Sequence, residues 1–402
     1  MAKNVLVTAT TFPRWKGDTE PSFVFYLSRL LAEKGHNVIV LAPHFKGAKR
    51  FEVMDGVKVH RFRYFLPEGM QRLCYEGGIL ENMKKSFLAR MQAPFLLVSE
   101  LFSIRRILKK EKIGIIHAHW IIPQGLIAAL LRRRYGVKVI STAHAGDVFP
   151  LKKRLFRRIA AYTIRNSDYV TVNSSYTKDA INKIKKAKNI SVIPMGVDLQ
   201  KFNPKNKKEA IKKKLGIKKE LILSVGRLAE KKGIKYLVMA MPKVLERFQD
   251  ARLVIVGDGP EKERISRMVS DLSLGKNIML PGKIRNEELP SYYAAADLFA
   301  GPSIVTATGD TEGLGVVFLE ALASGTAVVG SDVGGIPDII KHEKTGLLVR
   351  EKDPNGLASA IIRMLSDRRL REKTANAGRK HVLQNYSWDK VADNFDKIIN
   401  KI

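Results

Sequence analysis

The stretch GDTEGLGVVFLEALASG, at residues 309–325, joins a glycine-rich loop to an apolar helix that contains one charge. Residues 316–323 have the composition of a buried helix, yet Glu320 lies in the middle of them. An ionised carboxylate is almost never buried without a partner, because desolvating it costs several kcal/mol or more. The pattern therefore predicts that Glu320 faces a polar partner rather than hydrocarbon.

The loop before this helix favours an anionic ligand. A helix N-terminus offers unpaired backbone N–H groups and a partial positive charge, and Gly313 and Gly315 would let an anion approach the backbone closely. A plain strand-to-helix turn explains the glycines equally well. Glu312 in the loop and Glu320 in the helix can both point toward one ligand, and paired carboxylates suit vicinal hydroxyls of a ribose or a sugar. An ion pair with Lys or Arg is the alternative for Glu320.

The rest of the chain alternates strand-like and helix-like segments. Short continuous apolar strands separated by helices predict parallel sheets covered on both faces. The predicted strands are 4–10, 37–43, 57–62, 113–119, 137–142, 168–174, 221–226, 251–257, 277–282, 297–303, 326–331 and 345–349, and helices 354–365, 367–385 and 387–401 close the chain.

A Pro-, Gly- and Lys-rich segment at 190–214 interrupts this alternation and has the composition of a linker. At 402 residues the chain is too long for one ordinary core. We therefore predict two doubly wound, Rossmann-like α/β domains, 1–195 and 196–386, with the terminal helix 387–402 packing back on the first. In such folds ligands bind beyond the carboxyl ends of the strands, here in the cleft between the domains.

Composition limits the class of protein. The single cysteine, Cys74, excludes an internal disulfide and favours a reducing, cytoplasmic compartment. The N-terminus has the pattern of a first strand rather than of a signal peptide, and the longest apolar run, 94–104, is short of the ~20 residues that span a bilayer. The formal net charge of +32 suits nucleic acid, an anionic membrane or polyanionic substrates, or is a solubility habit of a Lys-rich protein.

Two cations follow the predicted strand at 221–226. In SVGRLAEKKG, residues 224–233, Arg227 and Lys232 leave the carboxyl end of the strand. Two fixed cations there can grip a diphosphate and stabilise the charge that develops on a phosphate leaving group. In a chain this basic, chance placement is the alternative. The turn GDGP, at 257–260, marks another strand end and is a weaker signal.

Histidines lie at two strand ends of the first half. His117 and His119 precede Trp120, and His144 lies near Asp147. Alternation places His117 and His119 on the same side of their strand, which could suggest a metal pair. No third ligand stands at a convincing spacing, so a metal is not expected. His144 and Asp147 fit better as a polar cluster that hydrogen-bonds a substrate, although strand-end histidines are often structural.

Taken together and in this order, these elements resemble the retaining family-4 glycosyltransferases of the GT-B fold. The likeness covers nearly the whole chain. The segments that carry it are TFPRWKGDTEP, STAHAGD, VIPMGVDLQKF, VGRLAEKKG, VGDGP, LPGKI, and the Glu-x7-Glu element that continues into EALASGTAVVGSDVGG. The Glu-x7-Glu element with its glycines is the most specific of them.

The resemblance implies a site for a nucleoside-diphosphate sugar such as a UDP-sugar. Arg227 and Lys232 would hold the diphosphate, and Glu320 the ribose hydroxyls. Glu312 would hold the transferred sugar, and His144 would touch that sugar near the reacting centre. The other implied donor contacts are backbone groups of Gly313, Leu314 and Gly315, the approach of Gly17 to the phosphate, and the segment from Gly282 to Ile284 at the nucleobase.

One departure concerns the first loop. Relatives often have two adjacent glycines there, whereas this chain has a single glycine between Lys16 and Asp18. That makes Gly17 a less specific match. The candidates for contact with the acceptor are Asp18, Glu20, His119, Trp120 and Asp147.

The resemblance also implies a mechanism. The two cations take the place of the metal that other glycosyltransferases use, so no cofactor and no divalent ion is expected. The family retains anomeric configuration, and no carboxylate stands out as a covalent nucleophile. We therefore expect a retaining hexosyltransferase that uses front-face attack and transfers a sugar to a saccharide or lipid-linked acceptor.

The basic charge is concentrated in the first domain. Residues 151–188 contain eleven Lys and Arg residues against Asp168 and Asp179, and LKKRLFRRIAAYTI has apolar and basic positions at helical spacing. Residues 83–106 form a second such candidate. We predict contact with an anionic membrane at its cytoplasmic face; solvated helix surfaces are the alternative.

Two other functions compete with this prediction. A nucleotide-sugar epimerase or a phosphorylase could share the fold, but no lysine has a context that singles it out for pyridoxal phosphate. A nucleic-acid-binding protein would suit the charge. It is not favoured, because aromatic residues are not interleaved with the basic runs and no nucleic-acid-binding module is recognisable.

Overall fold

A computed structural model describes residues 2–18, 22–75, 78–151, 153–206 and 208–402. The chain divides into two compact units. Unit 1 consists of Met1–Asn173, Thr177–Ile193 and Val391–Ile402, and unit 2 of Ser174–Tyr176 and Pro194–Lys390. Each unit is built on one sheet, so each is an α/β fold in its own right.

Unit 1 contains an eight-stranded sheet. Its strands are β1 (Asn4–Thr8), β2 (Asn37–Pro43), β3 (Phe51–Met54), β4 (Val57–Phe62), β5 (Ile115–His119), β6 (Lys138–Ala143), β7 (Tyr169–Val172) and β8 (Ile190–Val192). Their order in the sheet is β3-β4-β2-β1-β5-β6-β7-β8. Every neighbouring pair is parallel except β3 and β4. Because β5 continues on the far side of β1 from β2, the carboxyl ends of β1 and β5 flank the crevice where such sheets bind ligands.

Helices cover this sheet. They are α1 (Phe23–Glu33), α2 (Ile79–Lys85), α3 (Phe87–Lys110), α4 (Leu126–Tyr135), α5 (Arg154–Asn166) and α6 (Ser175–Ile184), the last of which begins in unit 2 and continues in unit 1. The side chain of Ser86 accepts a hydrogen bond from the backbone N–H of Ala89 and so caps the start of α3. Among the described residues, α3 alone is long and apolar enough by length and composition to cross a membrane.

The hairpin of β3 and β4 differs from the prediction, which placed a strand only at 57–62. Asp55 and Gly56 connect the two strands with φ of 45° and 83°. A two-residue turn with both φ positive matches the twist of antiparallel strands, and Asp-Gly is a preferred pair for it. Phe51 and Val53 on β3 are exposed. The strand was not predicted, because it lacks the continuous apolar run of a buried strand.

Unit 2 contains a six-stranded parallel sheet. Its strands are β9 (Leu221–Val225), β10 (Arg252–Val256), β11 (Ile278–Gly282), β12 (Leu298–Gly301), β13 (Ala327–Ser331) and β14 (Leu347–Val349). They lie in the order β11-β10-β9-β12-β13-β14. The order reverses at β9, which has β10 on one side and β12 on the other, and ligands bind at such a reversal, beyond the carboxyl ends.

Two layers of helices enclose the sheet of unit 2. The helices are α7 (Lys208–Lys214), α8 (Ile234–Arg247), α9 (Lys262–Asp271), α10 (Leu289–Ala295), α11 (Val316–Ala323), α12 (Ile336–Ile339), α13 (Pro354–Ser366) and α14 (Arg368–Asn385). Neighbouring residues of β12 face opposite layers. Phe299 packs in the cluster that contains Phe318 of α11, whereas Leu298 packs in the cluster that contains Leu237 of α8. Both faces of this strand are therefore buried, as a continuous apolar run predicts.

A final helix, α15 (Trp388–Lys401), lies with most of its length in unit 1. The ring of Phe395 lies 5.0 Å from that of His117. Asp396 lies 2.7 Å from His36, measured from Oδ1 to Nε2. Ile398 and Ile399 are buried as well. The chain therefore returns to unit 1 after completing unit 2.

The carboxyl group of Glu100, on the inner face of α3, is fully buried. Oε2 of Glu100 accepts a hydrogen bond of 3.2 Å from Nε2 of Gln124. Burial raises the pKa of Glu100 to about 8, and the hydrogen bond from Gln124 acts in the opposite direction. The carboxyl group is therefore protonated in the folded chain at neutral pH.

Glu100→Gln should flatten the pH dependence of stability. Because the folded-state pKa lies above the ordinary 4.5, the wild-type side chain favours folding below that pH. The contribution is lost as the pH rises through about 8. We measure the unfolding free energy of both proteins by denaturant titration at pH 5 and pH 9. The difference, variant minus wild type, should increase by roughly 2–5 kcal/mol from pH 5 to pH 9. The exposed control Glu246→Gln should show no such gain, and parallel pH profiles of Glu100→Gln and wild type would contradict the assignment.

Candidate active site

The candidate site lies in unit 2, at the carboxyl ends of β9 and β12. Gly226 and Arg227 follow β9 directly, and the exposed side chain of Arg227 begins the segment that carries Lys232. Gly226, Arg227 and Lys232 line one small cavity together with Val317 and Phe318 of α11. The two predicted cations and the start of the predicted helix therefore border the same space.

Lys232 forms an ion pair with Glu312. The ammonium Nζ donates to Oε2, and the two side chains are only 17 % and 14 % exposed. Burial raises the pKa of Glu312, but the charges of Lys232 and Lys231 outweigh burial, so the pKa is lowered overall. Glu312 is consequently an anion at neutral pH. This pair joins the segment after β9 to the loop after β12.

Backbone packing places Lys232. It ends a short 3-10 turn, Glu230–Lys232, which Gly233 terminates with φ of +62°. A Cβ on Gly233 would stand 2.0 Å from the carbonyl oxygen of Pro302. The backbone N–H of Ile304 also donates to the carbonyl of Lys231 at 2.8 Å. The turn is therefore pressed onto the loop that leaves β12, and only glycine fits where it ends.

Glu320 has a polar partner, as its position predicts. The partner is the hydroxyl of Tyr293, which donates to Oε2 at 2.7 Å. Tyr293 is fully buried, and its ring lies 5.7 Å from those of Phe202 and Phe299. Sequence reasoning missed Tyr293, because no spacing rule links a tyrosine in YYAAAD to a glutamate 27 residues later.

The charge state of Glu320 depends on its surroundings. Burial raises its pKa to about 7. The hydrogen bond from Tyr293 and the charges of Lys201 and Lys232 act in the opposite direction. The ammonium of Lys232 thus lowers the pKa of Glu312 and of Glu320 alike. One cation acts on both carboxylates because both point toward the same region. A ligand that donates hydroxyls to Glu320 would favour its ionised form.

The start of α11 lacks a capping side chain among the described residues. The residue before the helix, Gly315, has φ of +89°. Gly334 and Gly335 hold the preceding loop in place: Cβ atoms on them would stand 2.1 Å from the carbonyl oxygen of Glu312 and 2.3 Å from that of Gly313. The N–H of Gly335 donates to the Glu312 carbonyl at 3.0 Å. Leu314 is buried in the core.

The segment predicted at the nucleobase lies at the same edge of the sheet. Gly282 ends β11 with φ of +77°, and its carbonyl accepts a hydrogen bond of 2.9 Å from the N–H of Gly257. Ile284 packs against the core of unit 2. In the order of strands, β11 lies two positions from β9, so Gly282 and Ile284 extend the row of strand ends that begins with Arg227.

In unit 1, the predicted polar residues form a cluster of their own. Nδ1 of His119 and Nε2 of His144 lie 2.9 Å apart, and the two rings are stacked. Asp147 accepts backbone hydrogen bonds from Ile121 at 2.7 Å and from His144 at 2.9 Å. The ring of Trp120 lies 5.3 Å from that of His144. His144 and Asp147 are therefore near each other, as predicted, and are joined through the backbone.

Burial keeps the imidazoles of this cluster neutral. It lowers the pKa of His117 and of His144 to about 3, and that of His119 well below the ordinary value of 6.5. It also raises the pKa of Asp147 to about 6, against its backbone hydrogen bonds.

His117 lies 2.7 Å from the hydroxyl of Thr142, measured from Nε2. In the described part of the chain, no group of three or more His, Cys, Asp or Glu side chains could hold a metal ion.

The first loop of unit 1 contains the remaining predicted residues. Gly17 has φ of +83°, and in the described part of the chain no atom beyond its two sequence neighbours lies within 4 Å of the place a Cβ would take. Asp18 is paired with Arg14 through bonds of 2.8 and 2.9 Å, and its side chain is only 2 % exposed. This pairing gives Asp18 a role in shaping the loop. Glu20 lies outside the described residues.

Family models and relatives agree on what this chain is similar to. Residues 22–201 match the model Glycosyltransferase Family 4, and residues 207–381 match Glycosyl transferases group 1. A relative from Corynebacterium glutamicum, a GDP-mannose-dependent monoacylated alpha-(1-6)-phosphatidylinositol monomannoside mannosyltransferase, is 32% identical over 69% of this chain and 74% of its own length. The chain belongs to the family 4 glycosyltransferases.

Two further comparisons extend over the whole length of this glycosyltransferase. A GDP-mannose-dependent alpha-(1-6)-phosphatidylinositol monomannoside mannosyltransferase from Mycobacterium tuberculosis is 29% identical over 96% of both chains. Sucrose-phosphate synthase from Thermosynechococcus elongatus superposes with a TM-score of 0.80, at 23% identity, over 99% of this chain and 98% of that one. The structural likeness shows the fold, and the predicted GT-B class is confirmed.

Gly257→Ala should destabilise unit 2. Gly257 has φ of +141°, and a Cβ there would stand 1.9 Å from the carbonyl oxygen of Gly226, which belongs to the loop after β9. The clash is with backbone, so we expect a loss of at least about 2 kcal/mol of unfolding free energy. Gly275→Ala is the matched control, since its Cβ would meet no atom within 4 Å, and should stay within about 0.5 kcal/mol of wild type. Equal stability of the two variants in denaturant titrations would contradict this packing.

Proposed function

We propose that this glycosyltransferase transfers mannose from GDP-mannose to a lipid-linked saccharide, with retention of anomeric configuration and without a divalent metal. The observation that carries the proposal is the ion pair of Lys232 and Glu312 near the start of α11, which no described side chain caps. The choice of donor and acceptor rests on the relatives, whose names specify GDP-mannose and phosphatidylinositol monomannosides. The competing epimerase, phosphorylase and nucleic-acid-binding functions are not favoured, because these relatives are transferases.

The diphosphate is proposed to lie between the cations and the helix. Arg227 and Lys232 follow β9, and no side chain of the described residues caps the start of α11. A diphosphate could exchange hydrogen bonds with both cations and with the N–H groups at the helix start. These positive groups would also stabilise the charge that appears on the phosphate when the sugar leaves. Two fixed cations can thus serve in place of a metal ion.

Glu320 is proposed to accept hydrogen bonds from the ribose hydroxyls. Its carboxylate is oriented by Tyr293, which uses a fully buried ring to hold its hydroxyl in place. The segment Gly282 to Ile284 would border the guanine. Glu312 is proposed to contact the transferred mannose while Lys232 keeps it ionised.

The proposed reaction proceeds on one face of the sugar. The bond between the anomeric carbon and the diphosphate oxygen breaks, and its electron pair leaves with the phosphate. The acceptor hydroxyl attacks the same face of the carbon, and its proton passes to the departing phosphate oxygen. Neither Glu312 nor Glu320 is proposed as a covalent nucleophile on this route. The carboxylate of Glu312 is ion-paired with Lys232, and that of Glu320 is hydrogen-bonded to Tyr293.

Nucleotide binding should depend on Glu320. Calorimetric titration of GDP, UDP, ADP and dTDP should show GDP binding tightest. The titrations are done at moderate salt, because salt suppresses the unspecific attraction of all four nucleotides to the +32 chain. Glu320→Ala should weaken GDP binding about 10- to 100-fold, because charge-assisted hydrogen bonds to the ribose are lost. The exposed Glu246→Ala should bind as wild type does. If all four nucleotides bind alike, and Glu320→Ala changes nothing, the proposed donor site is wrong.

Lys232→Ala should impair turnover more than donor binding. We expect kcat to fall about 100- to 1000-fold, and the Kd for GDP-mannose to rise less than about 10-fold, because the cation acts mainly on charge that develops in the transition state. The exposed Lys243→Ala is the control. Excess EDTA should leave the wild-type rate unchanged, and proton NMR of the product should show the α anomer. Equal losses in kcat and affinity would argue against the transition-state role, and a β product against retention.

Tyr293→Phe should shift the pH dependence of donor binding upward. The Tyr293 hydroxyl lowers the pKa of Glu320, so its removal leaves burial less opposed. For wild type, affinity for GDP-mannose should increase as the pH rises through about 7, where Glu320 ionises. In Tyr293→Phe the same increase should occur at a higher pH. Glu320→Gln should show neither transition, and coincident midpoints for wild type and Tyr293→Phe would count against the assigned contact.

A further inference from the structure

The outer face of α3 carries a row of exposed apolar side chains. Phe87, Met91, Phe95, Val98 and Phe102, here called the outer stripe, are between 52% and 73% exposed. At 100° per residue they fall on one side of the helix. Single exposed apolar residues need no explanation, but five large ones in a continuous row mark a surface for an apolar partner.

The opposite face of α3 belongs to the core of unit 1. Ala89, Leu96 and Ile104 are buried there. Gln92 is buried too, and its side chain accepts a hydrogen bond of 2.9 Å from the N–H of Arg72. The helix meets the length and composition of a membrane span, but this inner face is committed to the fold. A partner of the outer stripe therefore meets α3 from one side, along its length.

The apolar surface continues beyond α3 onto the chain before it. The ring of Phe65 lies 5.7 Å from that of Phe95. The side chain of Gln92 donates to the carbonyl of Met70 at 2.6 Å. Leu66 and Met70 in this segment are 64% and 40% exposed. The outer stripe is thus one part of a wider apolar patch.

The helix layer that carries this patch is strongly basic. Helix α3 packs against α4, and α4 against α5, so the three form one layer. Five Lys and Arg residues lie on α3, three on α4 and four on α5. The single acid of the three helices is Glu100, which is fully buried. Leu155 and Phe156 of α5 are exposed among these arginines.

We propose that this helix layer docks on a bilayer that contains anionic lipid, with α3 lying in the plane of the interface. The outer stripe would reach the acyl chains, and the basic side chains the anionic headgroups. A nucleic acid would meet the charges but would leave the apolar stripe unexplained. A second copy would cover the stripe only by bringing two strongly positive layers together. This inference goes beyond the proposed function, because docking requires neither nucleotide nor sugar.

Flotation with vesicles tests the docking. Wild type should float with vesicles of phosphatidylcholine and about one third phosphatidylglycerol at about 150 mM salt, and much less with pure phosphatidylcholine. Phe95→Gln/Phe102→Gln should lower the partition coefficient at least about 10-fold, because two inserted aromatic side chains are lost. Met239→Gln/Leu272→Gln is the matched control, since these side chains of unit 2 are 48% and 42% exposed, and it should float as wild type does.

Three results would overturn the proposal. The first is that the stripe variant floats as well as wild type does. The second is that wild type floats equally with anionic and neutral vesicles, or with neither. The third is that wild type forms a dimer in analytical ultracentrifugation and the stripe variant does not. The last would assign the stripe to a second copy of the chain. The melting temperature and GDP titration of each variant check its folding, and Phe87→Gln/Val98→Gln serves by the same criteria if the first pair fails that check.

Discussion

The ion pair between Lys232 and Glu312 is the contact on which the candidate site depends. A charge that is mostly buried is stable only with a partner, so each residue requires the other to be in place. The glycines around the pair follow from this requirement. Gly233 lets the turn that carries Lys232 press onto the loop after β12, and Gly334 lets a neighbouring segment reach the backbone of Glu312. A ligand that takes over Lys232 must therefore offer negative charge of its own.

Most of the fold could be predicted from the sequence, because a parallel strand that is buried on both faces is a continuous apolar run. β2 and β4 match the predicted 37–43 and 57–62 residue for residue. β3 was missed, because Phe51 and Val53 are exposed and only the Asp-Gly turn signals a hairpin. Of the ten other predicted strands, nine are shorter in the structure by one to three residues at one or both ends, and β6 keeps the predicted length but lies one residue further along the chain.

The residues of the candidate site that follow strand ends could be predicted from the sequence. Contacts between segments that are distant in the sequence could not. Cations and carboxylates that follow strand ends could be selected, because parallel strands bring their carboxyl ends to one edge. The hydroxyl of Tyr293 behind Glu320 could not, nor could the stacking of His119 on His144. GDGP was the weaker signal of a strand end, yet Gly257 is where two loops meet backbone to backbone.

The path of the chain has a consequence for how this protein is made. Most of unit 1 precedes unit 2 along the chain, but α15, whose Phe395 packs against His117, follows it. Until α15 has left the ribosome, the nascent unit 1 exposes the part of its core that Ile398 and Ile399 will bury. Unit 2 has no such delay. The second unit to be synthesised can therefore complete its folding before the first, and the uncovered sheet of unit 1 is the surface that a chaperone would meet.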